Sequence, residues 1–446
     1  MKSKLEKIVC TAAPQGSFGG RDYLGSKILI DTLKGMGFDL YILDTTCFFQ
    51  QNTLEIHRIF KELRQFDPKF AFSFPNAGYG LGCSVFENGK YKNFFTEVLE
   101  IPLALCWDDP LGQFSMQILS PLPVTPSQSE HGALEKIKAV INHPLMFHFA
   151  WDTGHIKAMI NIGLLSEDKI RFHLLGSPQQ YVEYGKKTGI FTSSYTHDVC
   201  FVGNIYLNQV KNNPLSQFDI IKNIAQKVAD KKIADFSNHA WDLLLAEIQE
   251  IPTKTREIFK LKLDESFFWN AYIYIIWIGV NTYVRMKVLS SIEEVAFYGG
   301  FADPYGINEL YSFKNINYMN SVDYLVDLPR IFNTTKITVD VTNQLVHNSA
   351  PGKFFECFSA GGFMLIDYSK DIIKAFGEKA KLISYKTINE LNAKIEYYLS
   401  HDRERQEITR FFQNEINTNY TTKKWLSFIT SDLKMRIERT GQSERR

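Results

Sequence analysis

The strongest constraint on the fold is an alternation of short apolar runs with longer helix-like segments along the chain. The run KIVCTAA (7–13) has the composition of a buried strand, a Gly-rich segment follows it, and SKILIDTLKGMG has the composition of a helix that Gly37 ends. FDLYILD, KFAFSFP and PLALCWDD continue the series as strands, with helical segments between them. Such an alternation is typical of parallel sheets, because consecutive parallel strands need a crossover connection. The first half of the chain is therefore predicted to be a doubly wound α/β domain.

A second series of the same kind begins at THDVCFVGNIY (196–206), and a long helical region, 206–290, follows it. The strands EVAFYGG, KITVDV and FMLID then resume the alternation. The predicted fold class is α/β, with two Rossmann-like parallel-sheet domains and a helical insertion in the C-terminal half. We place the domains at 1–195 and 196–425, and the end of a C-terminal helix with a polar tail at 426–446.

Composition excludes several classes of partner and location. The 446 residues suffice for two domains of roughly 200 residues each. Lys and Arg together number 50 and Asp and Glu 49, so the formal net charge of +1 is too small to attract nucleic acid or anionic lipid strongly. The six cysteines form no C-x-x-C pair, which favours reduced, buried thiols and a cytoplasmic location. The longest apolar stretch, 267–280, is shorter than the roughly 20 residues that span a bilayer, so it predicts a buried helix and no transmembrane segment.

The segment HNSAPGKFFECFSAGGFMLIDY (347–368) predicts a loop, a helix over about 351–360 and a buried strand, with Gly361 and Gly362 ending the helix at a left-handed C-cap. Lys353 and Glu356, at a spacing of three, share one side of that helix. A helix N-terminus with a Lys in its first turn is suited to a diphosphate, and Glu356 to sugar or ribose hydroxyls. His347, in the preceding loop, is a further candidate.

The alternative interpretation of Lys353 and Glu356 is an exposed ion pair worth about 0.2–0.5 kcal/mol. If Lys353 instead faces a ligand, its replacement is expected to lower turnover and to leave folding nearly unchanged.

Loops at the carboxyl ends of the predicted strands in the N-terminal half supply further candidates. Gly16, Gly19 and Gly20 would let a phosphate or sugar approach the backbone. Asp108 and Asp109 follow a strand and are suited to bind an acceptor hydroxyl, to act as a base or to hold a divalent ion. The alternative for either carboxylate is to cap the following turn. GRDYLGSK lacks the Lys-Ser order of a nucleotide-triphosphate loop, so we reject that motif.

These segments resemble a known family. KFFECFSAGGFMLID is similar to the R-x-F-E-x-x-A-x-G-x-x-x-L-x-D stretch of GT-B glycosyltransferases of the group 1 type, especially their CgeB-like branch. DVCFVGN, VRMKVL with VAFYGG, and LPRIFNTTKITVDV resemble the family in the same order. The resemblance covers about 196–430, while the N-terminal half agrees in architecture and in IPLALCWDDP. Lys353 stands where the family usually has Arg, which keeps the charge but loses the bidentate fork.

The resemblance implies a glycosyltransferase with two Rossmann-like domains that face each other across a cleft, and transfer from a nucleotide-diphosphate sugar without a metal or a further cofactor. A UDP-sugar is favoured as donor, and the acceptor would be a protein, a glycan or a small molecule. The implied catalytic residues are Asp108, Asp109 and Lys353, with Gly16, Gly19 and Gly20 in the acceptor-side loop. The implied donor-binding residues are Gly203, Asn204, Tyr298, Gly299, Gly300, His347, Asn348, Ser349, Lys353 and Glu356.

Two other functions stay open at this point. One is a non-catalytic GT-B-like protein that binds a nucleotide or a sugar. The other is a different two-domain α/β enzyme of the sugar-nucleotide epimerase type.

Overall fold

The protein forms two compact units. The computed structural model describes residues 6–12, 21–73, 77–87, 90–107, 141–161, 163–190, 194–205, 219–254, 273–299 and 313–443. The first unit comprises Met1–Leu174 together with Thr422–Arg446, and the second comprises Leu175–Thr421.

The first unit contains a six-stranded parallel sheet in the order β2-β1-β3-β6-β7-β8 and a separate antiparallel hairpin, β4-β5. Its strands are β1 Glu6–Ala12, β2 Phe38–Asp44, β3 Phe70–Ser73, β4 Ser84–Glu87, β5 Lys90–Asn93, β6 Leu103–Trp107, β7 Met146–Ala150 and β8 Ile170–Phe172. Its α-helices are α1 Arg21–Gly35, α2 Thr46–Phe49, α3 Thr53–Phe66, α4 Ala77–Gly82, α5 Thr153–Asn161 and, from the far end of the chain, α16 Thr422–Ser443. A π-helical turn, Phe94–Val98, and a 3-10 turn, Glu167–Lys169, complete it.

Local chemistry explains where these elements begin and end. Helix α3 begins where the Asn52 side chain accepts a hydrogen bond from the Glu55 N–H, and it ends at Asp67 in the left-handed conformation. The middle of β1 is apolar on both faces and fully buried, as expected for a strand that carries helices on both sides of its sheet.

The second unit also contains a six-stranded parallel sheet, in the order β11-β10-β9-β12-β13-β14. Its strands are β9 His197–Val202, β10 Val295–Tyr298, β11 Ile316–Tyr318, β12 Thr335–Val339, β13 Met364–Asp367 and β14 Ser384–Tyr385. Its α-helices are α6 Gln179–Thr188, α7 Asp219–Ala234, α8 Ala240–Glu250, α9 Asn281–Ser291, α10 Asp327–Thr334, α11 Gly352–Ser359, α12 Lys370–Phe376, α13 Glu378–Ile383, α14 Ile388–Ser400 and α15 Asp402–Asn419. A π-helical segment, Ile273–Val280, leads into α9.

Two parallel α/β sheets with a helical region in the second half confirm the fold class that the alternation predicted. The helical insertion contributes α7, α8, the π-helical segment and α9. Ile275 and Ile276 within the π-helical segment are fully buried, which agrees with a buried helix for the described end of the apolar stretch. None of the helices in the described part of the chain is long and apolar enough to cross a membrane.

The two units differ from the predicted ranges at both ends of the second domain. Helix α6 belongs to the second unit because it packs on α11: a Cβ at Gly185 would lie 2.0 Å from the Ser359 carbonyl oxygen. Helix α16 belongs to the first unit, where Arg436 donates to the Lys169 carbonyl at 3.1 Å and Arg171 lies 3.7 Å from Asp432. The chain therefore returns to the first unit at Thr422.

Candidate functional site

The sheet of the second unit has a topological switch point between β9 and β12. Strands β10 and β11 lie on one side of β9, whereas β12, β13 and β14 extend in the other direction. In open parallel sheets, ligands bind beyond the carboxyl ends of the two strands that flank such a point. Here those ends are Val202, followed by Gly203 and Asn204, and Val339, followed by Asp340.

Lys353 places its ammonium group at this switch point. Nζ donates to the Val202 carbonyl oxygen at 3.0 Å and forms an ion pair with the Asp340 carboxylate. It also lies 5.3 Å from the centroid of the Phe201 ring. The Lys353 side chain is 16% exposed and that of Asp340 is completely buried. Lys353 therefore pairs with the buried Asp340, whereas the alternative interpretation of the sequence was an exposed ion pair between Lys353 and Glu356.

A buried polar cluster supports the Asp340 carboxylate. The Thr342 hydroxyl donates to Asp340 Oδ2 at 3.2 Å, and the Tyr385 hydroxyl donates to the Asp340 backbone oxygen at 2.6 Å. Asp367, at the end of β13, accepts from the Thr342 N–H at 3.1 Å. Burial raises the pKa of Asp367, and the nearby Lys232 ammonium partly opposes that shift. Sequence reasoning missed Asp340, although an acidic residue directly after the apolar strand KITV was a visible signal.

Two glycines allow the loops after β9 and β10 to approach each other. A Cβ at Gly299 would lie 2.3 Å from the Gly203 carbonyl oxygen, and a Cβ at Gly203 would lie 2.8 Å from the Phe201 ring. Neither position therefore accommodates a side chain without a shift of its neighbours. Both were predicted donor-binding residues, and the structure places both at the carboxyl edge of the sheet.

Arg285 ties two of these loops together. Its Nη1 donates to the Asn204 carbonyl at 2.6 Å and its Nε to the Val341 carbonyl at 3.1 Å. The residue is 5% exposed and lies on α9, within the segment VRMKVL. Its role escaped the sequence reasoning, although an Arg on the buried side of an apolar helix needs polar partners.

Tyr298 does not direct its side chain toward the switch point. It is the last residue of β10, but its hydroxyl bonds His197 Nε2 at 2.7 Å, at the beginning of β9. The ring belongs to a buried cluster with Cys200 and Ile331. Only the Tyr298 backbone lies at the edge, where its carbonyl accepts from the Gly203 N–H at 3.0 Å.

Glu356 lies one turn after Lys353 on α11 and is 6% exposed. Its Oε1 accepts a hydrogen bond from the Tyr324 hydroxyl. The Tyr324 backbone oxygen in turn accepts a hydrogen bond from the Tyr181 hydroxyl of α6. The hydroxyl that Glu356 contacts here therefore belongs to the protein, whereas the sequence predicted sugar or ribose hydroxyls as its partners.

The loop before α11 is held from two directions. The Asn348 backbone oxygen accepts from the Ser369 hydroxyl at 2.7 Å and from the Asp371 N–H at 2.8 Å. The His347 ring lies 5.4 Å from the ring of His239, which precedes α8 of the helical insertion. Ser349 is 4% exposed. The predicted loop residues thus lie between α12 and the helical insertion.

Six of the predicted site residues lie outside the described residues: Gly16, Gly19, Gly20, Asp108, Asp109 and Gly300. The residue before Asp108 is described. Trp107 Nε1 donates to His148 Nδ1 at 3.1 Å, so His148 Nε2–H donates to the Ile141 carbonyl at 2.8 Å. Burial lowers the pKa of His148 to about 4, because the charged form of the ring loses its solvation.

No group of three or more His, Cys, Asp or Glu side chains suited to a metal ion occurs within the described ranges.

Sequence comparison relates the second half of the chain to a known family. Residues 285–431 match the family described as "Glycosyl transferase-like". The match spans less than half of the 446 residues and includes Arg285, Asp340, Lys353 and Glu356. Comparison with curated proteins finds no match.

Solved structures are similar over almost the whole chain. A glycosyltransferase from Rickettsia africae ESF-5 has a TM-score of 0.50 at 9% identity, with 97% of this chain and 99% of that chain covered. Anabaena Alr3699/HepE in complex with UDP-glucose has a TM-score of 0.47 at 11% identity, and T4 phage BGT in complex with UDP and Mn2+ has 0.44 at 12%, both with the same coverage. At such identities the similarity shows the fold alone. The similarity to the Rickettsia africae glycosyltransferase, together with the two parallel sheets of this chain, confirms the predicted GT-B fold class.

Proposed function

We propose that this protein is a GT-B glycosyltransferase that transfers a sugar from a nucleotide-diphosphate sugar to an acceptor. The observation that carries the proposal is the position of the Lys353 ammonium, at the switch point of the second sheet and in the first turn of α11. Parallel sheets bind ligands at such points, and helix N-termini favour phosphate groups. The glycosyltransferase-like match over 285–431 supports the same function.

In this proposal Lys353 and the first amides of α11 bind the donor diphosphate. Gly203, Asn204, Gly299 and Gly300 let the donor approach the loops after β9 and β10. The negative charge on the diphosphate grows as the bond to the sugar breaks, so a cation fixed beside it stabilises the transition state more than the ground state.

Glu356 accepts hydrogen bonds from the donor ribose, and His347, Asn348 and Ser349 line the donor loop. The Tyr298 side chain is buried, so its contribution is the position of its backbone. A UDP-sugar is our preferred donor, and the reaction needs no metal.

The first unit presents the acceptor, with Asp108 and Asp109 as the groups that bind and activate its hydroxyl and Gly16, Gly19 and Gly20 in a loop beside it. The acceptor class is a glycan, a protein or a small molecule. Within the family we propose membership of the CgeB-like branch, and we propose the cytoplasm as the site of action.

The test uses the wild type and the variants Lys353→Met and Lys381→Met. Lys381 is the matched control because it is a lysine of the same unit, ion-paired with Glu378 and largely exposed. We expect one of ADP, CDP, GDP, UDP or dTDP to raise the melting temperature of the wild type and of Lys381→Met, and to have a much smaller effect on Lys353→Met. A ligand at 100 times its dissociation constant stabilises by about 2.7 kcal/mol.

Slow hydrolysis of the matching nucleotide sugar separates a transferase from a protein that only binds. We expect release of free sugar by the wild type and not by Lys353→Met. Conversion of the donor to an isomeric nucleotide sugar would support the epimerase alternative. Stabilisation by a nucleotide whose matching nucleotide sugar is never hydrolysed or converted would support a binding protein. Equal stabilisation of all three proteins would remove Lys353 from the donor site.

A further inference from the structure

The carboxylate of Glu356 is folded back over the start of its own helix. A Cβ at Gly352 would lie 3.1 Å from Glu356 Oε1, so the carboxylate reaches the turn that precedes it. Helical side chains point toward the N-terminus, which makes this direction the expected one. The Glu356 carboxylate thus lies at the N-terminal end of α11, in the turn that contains Lys353.

The loop between β11 and α10 brings a tyrosine hydroxyl to this carboxylate. Asp323 Oδ1 accepts from the Leu325 N–H at 2.9 Å and the Val326 N–H at 2.8 Å. Asp327 Oδ2 accepts in return from the Asp323 N–H at 3.2 Å. These reciprocal bonds define the turn that contains Tyr324.

Helix α6 fixes the same turn from the other side. The Tyr181 hydroxyl donates to the Tyr324 backbone oxygen, and the centroids of the two rings are 5.6 Å apart. Tyr181 is completely buried, so its ring is a rigid support. Tyr324 is therefore held at two points: its backbone oxygen accepts a hydrogen bond from Tyr181, and its hydroxyl donates to Glu356.

We infer that Tyr324 is a positioning residue for ribose recognition, whose hydroxyl orients the Glu356 carboxylate so that its remaining lone pairs accept the donor's ribose hydroxyls. The inference rests on the proposed function. An ionised carboxylate has about four lone-pair directions, so it can accept hydrogen bonds from more than one hydroxyl at a time. A hydrogen bond to an ionised group is stronger and shorter than one between neutral groups, so it selects one orientation of the carboxylate.

A merely structural tyrosine would affect stability alone, whereas a positioning residue also affects discrimination between ribose and 2′-deoxyribose. The experiment measures dissociation constants by calorimetry for ADP, CDP, GDP and UDP and for their 2′-deoxy counterparts. Glu356→Gln reports the loss of the acceptor itself. Tyr398→Phe is the control, because Tyr398 is a buried tyrosine of the same unit whose hydroxyl donates to the Leu382 carbonyl.

For the nucleotide that binds, we expect the wild type and Tyr398→Phe to prefer the ribonucleotide by about tenfold. Tyr324→Phe should reduce that preference to about threefold through weaker binding of the ribonucleotide, while affinity for the 2′-deoxy form stays unchanged. Glu356→Gln should nearly abolish the preference, and Tyr324→Phe should have no further effect in the Glu356→Gln background.

A second variant keeps the test informative if Tyr324→Phe folds poorly. Asp323 is exposed, so Asp323→Ala loosens the turn without opening the core and should also reduce the preference. A wild-type preference retained in both Tyr324→Phe and Asp323→Ala would overturn the inference and leave the proposed function intact. Binding of dTDP alone, with none of the four ribonucleotides bound, would overturn the inference and leave the proposed function intact. Absence of binding by the four ribonucleotides and by dTDP to the wild type would overturn both.

Discussion

Replacement of Lys353 by Met should destabilise the second unit strongly, even without any ligand. The sequence suggested that Lys353 faces a ligand and that its loss would leave folding nearly unchanged. The structure instead pairs its ammonium with Asp340, whose side chain is completely buried. Met fills most of the volume of the lysine stem but leaves the Asp340 carboxylate without its counter-charge.

The magnitude follows from the burial of the two partners. Removal of one partner from a buried ion pair costs about 3–5 kcal/mol, because the remaining charge has lost its solvation and its partner. Lys353 is 16% exposed, so some water already reaches the pair and the lower end applies. We expect a loss of about 3 kcal/mol, which for a unit of this size is a fall in melting temperature of roughly 6–12 °C.

Asp340→Asn should be milder, since Lys353 keeps the Val202 carbonyl and its access to water. We expect a loss of about 1–2 kcal/mol, because the amide preserves the shape of the carboxylate. The double variant Lys353→Met with Asp340→Asn should lose about 2 kcal/mol less in free energy of unfolding than the sum of the two single losses.

The assay is urea unfolding of the four proteins in ligand-free buffer, followed by circular dichroism, with Lys381→Met as the exposed control. A change in midpoint at constant slope reports stability. If Lys353→Met unfolds within about 0.5 kcal/mol of Lys381→Met, the buried pair contributes little and the reasoning from burial is refuted. Strict additivity in the double variant would likewise show that the two side chains do not interact.

Three further predictions concern other parts of the molecule. Between pH 6.5 and pH 4, His148 should contribute a loss of about 3 kcal/mol to the stability of the wild type, because its folded pKa is about 4 and the unfolded chain binds the proton more readily. Urea midpoints should show a loss smaller by this amount in His148→Phe, whereas the exposed control His57→Gln should keep the full loss. Gly299→Ala should lower the melting temperature by several degrees because its Cβ meets a backbone oxygen, whereas Gly35→Ala, where nothing lies within 4 Å, should be neutral or slightly stabilising. Arg285→Met should lower the free energy of unfolding, measured in urea, by about 2–4 kcal/mol and abolish nucleotide-induced stabilisation, since two loop carbonyls lose their donor. Retained stabilisation would contradict the role of Arg285 in shaping the site.

Much of the local structure around Lys353 was predictable because it depends on neighbours in sequence. The helix predicted over about 351–360 extends over Gly352–Ser359, and Gly361 has the predicted left-handed conformation, with φ of +87°. Small residues before a helix and a Gly pair after it act within one turn, so a single sequence reveals them. The alternation of strands and helices likewise determined that the sheets are parallel.

The partners of the site residues depend on strand order instead. Lys353 meets Val202, 151 residues earlier, only because β9 and β12 are neighbours in the sheet. Trp107 meets His148, 41 residues later, because β6 pairs with β7. An alternating pattern is compatible with many strand orders, so it does not encode these contacts.

Lys353 and Glu356 of the candidate donor site show the same distinction between local and tertiary determinants. The sequence by itself determined that Lys353 and Glu356 share one side of a helix, since a spacing of three residues places them there. Only the tertiary structure decided that Asp340 pairs with the first and that the Tyr324 hydroxyl donates to the second. Those partners reach α11 from the end of β12 and from the loop after β11, and the free energy of packing the whole sheet with its helices places them there.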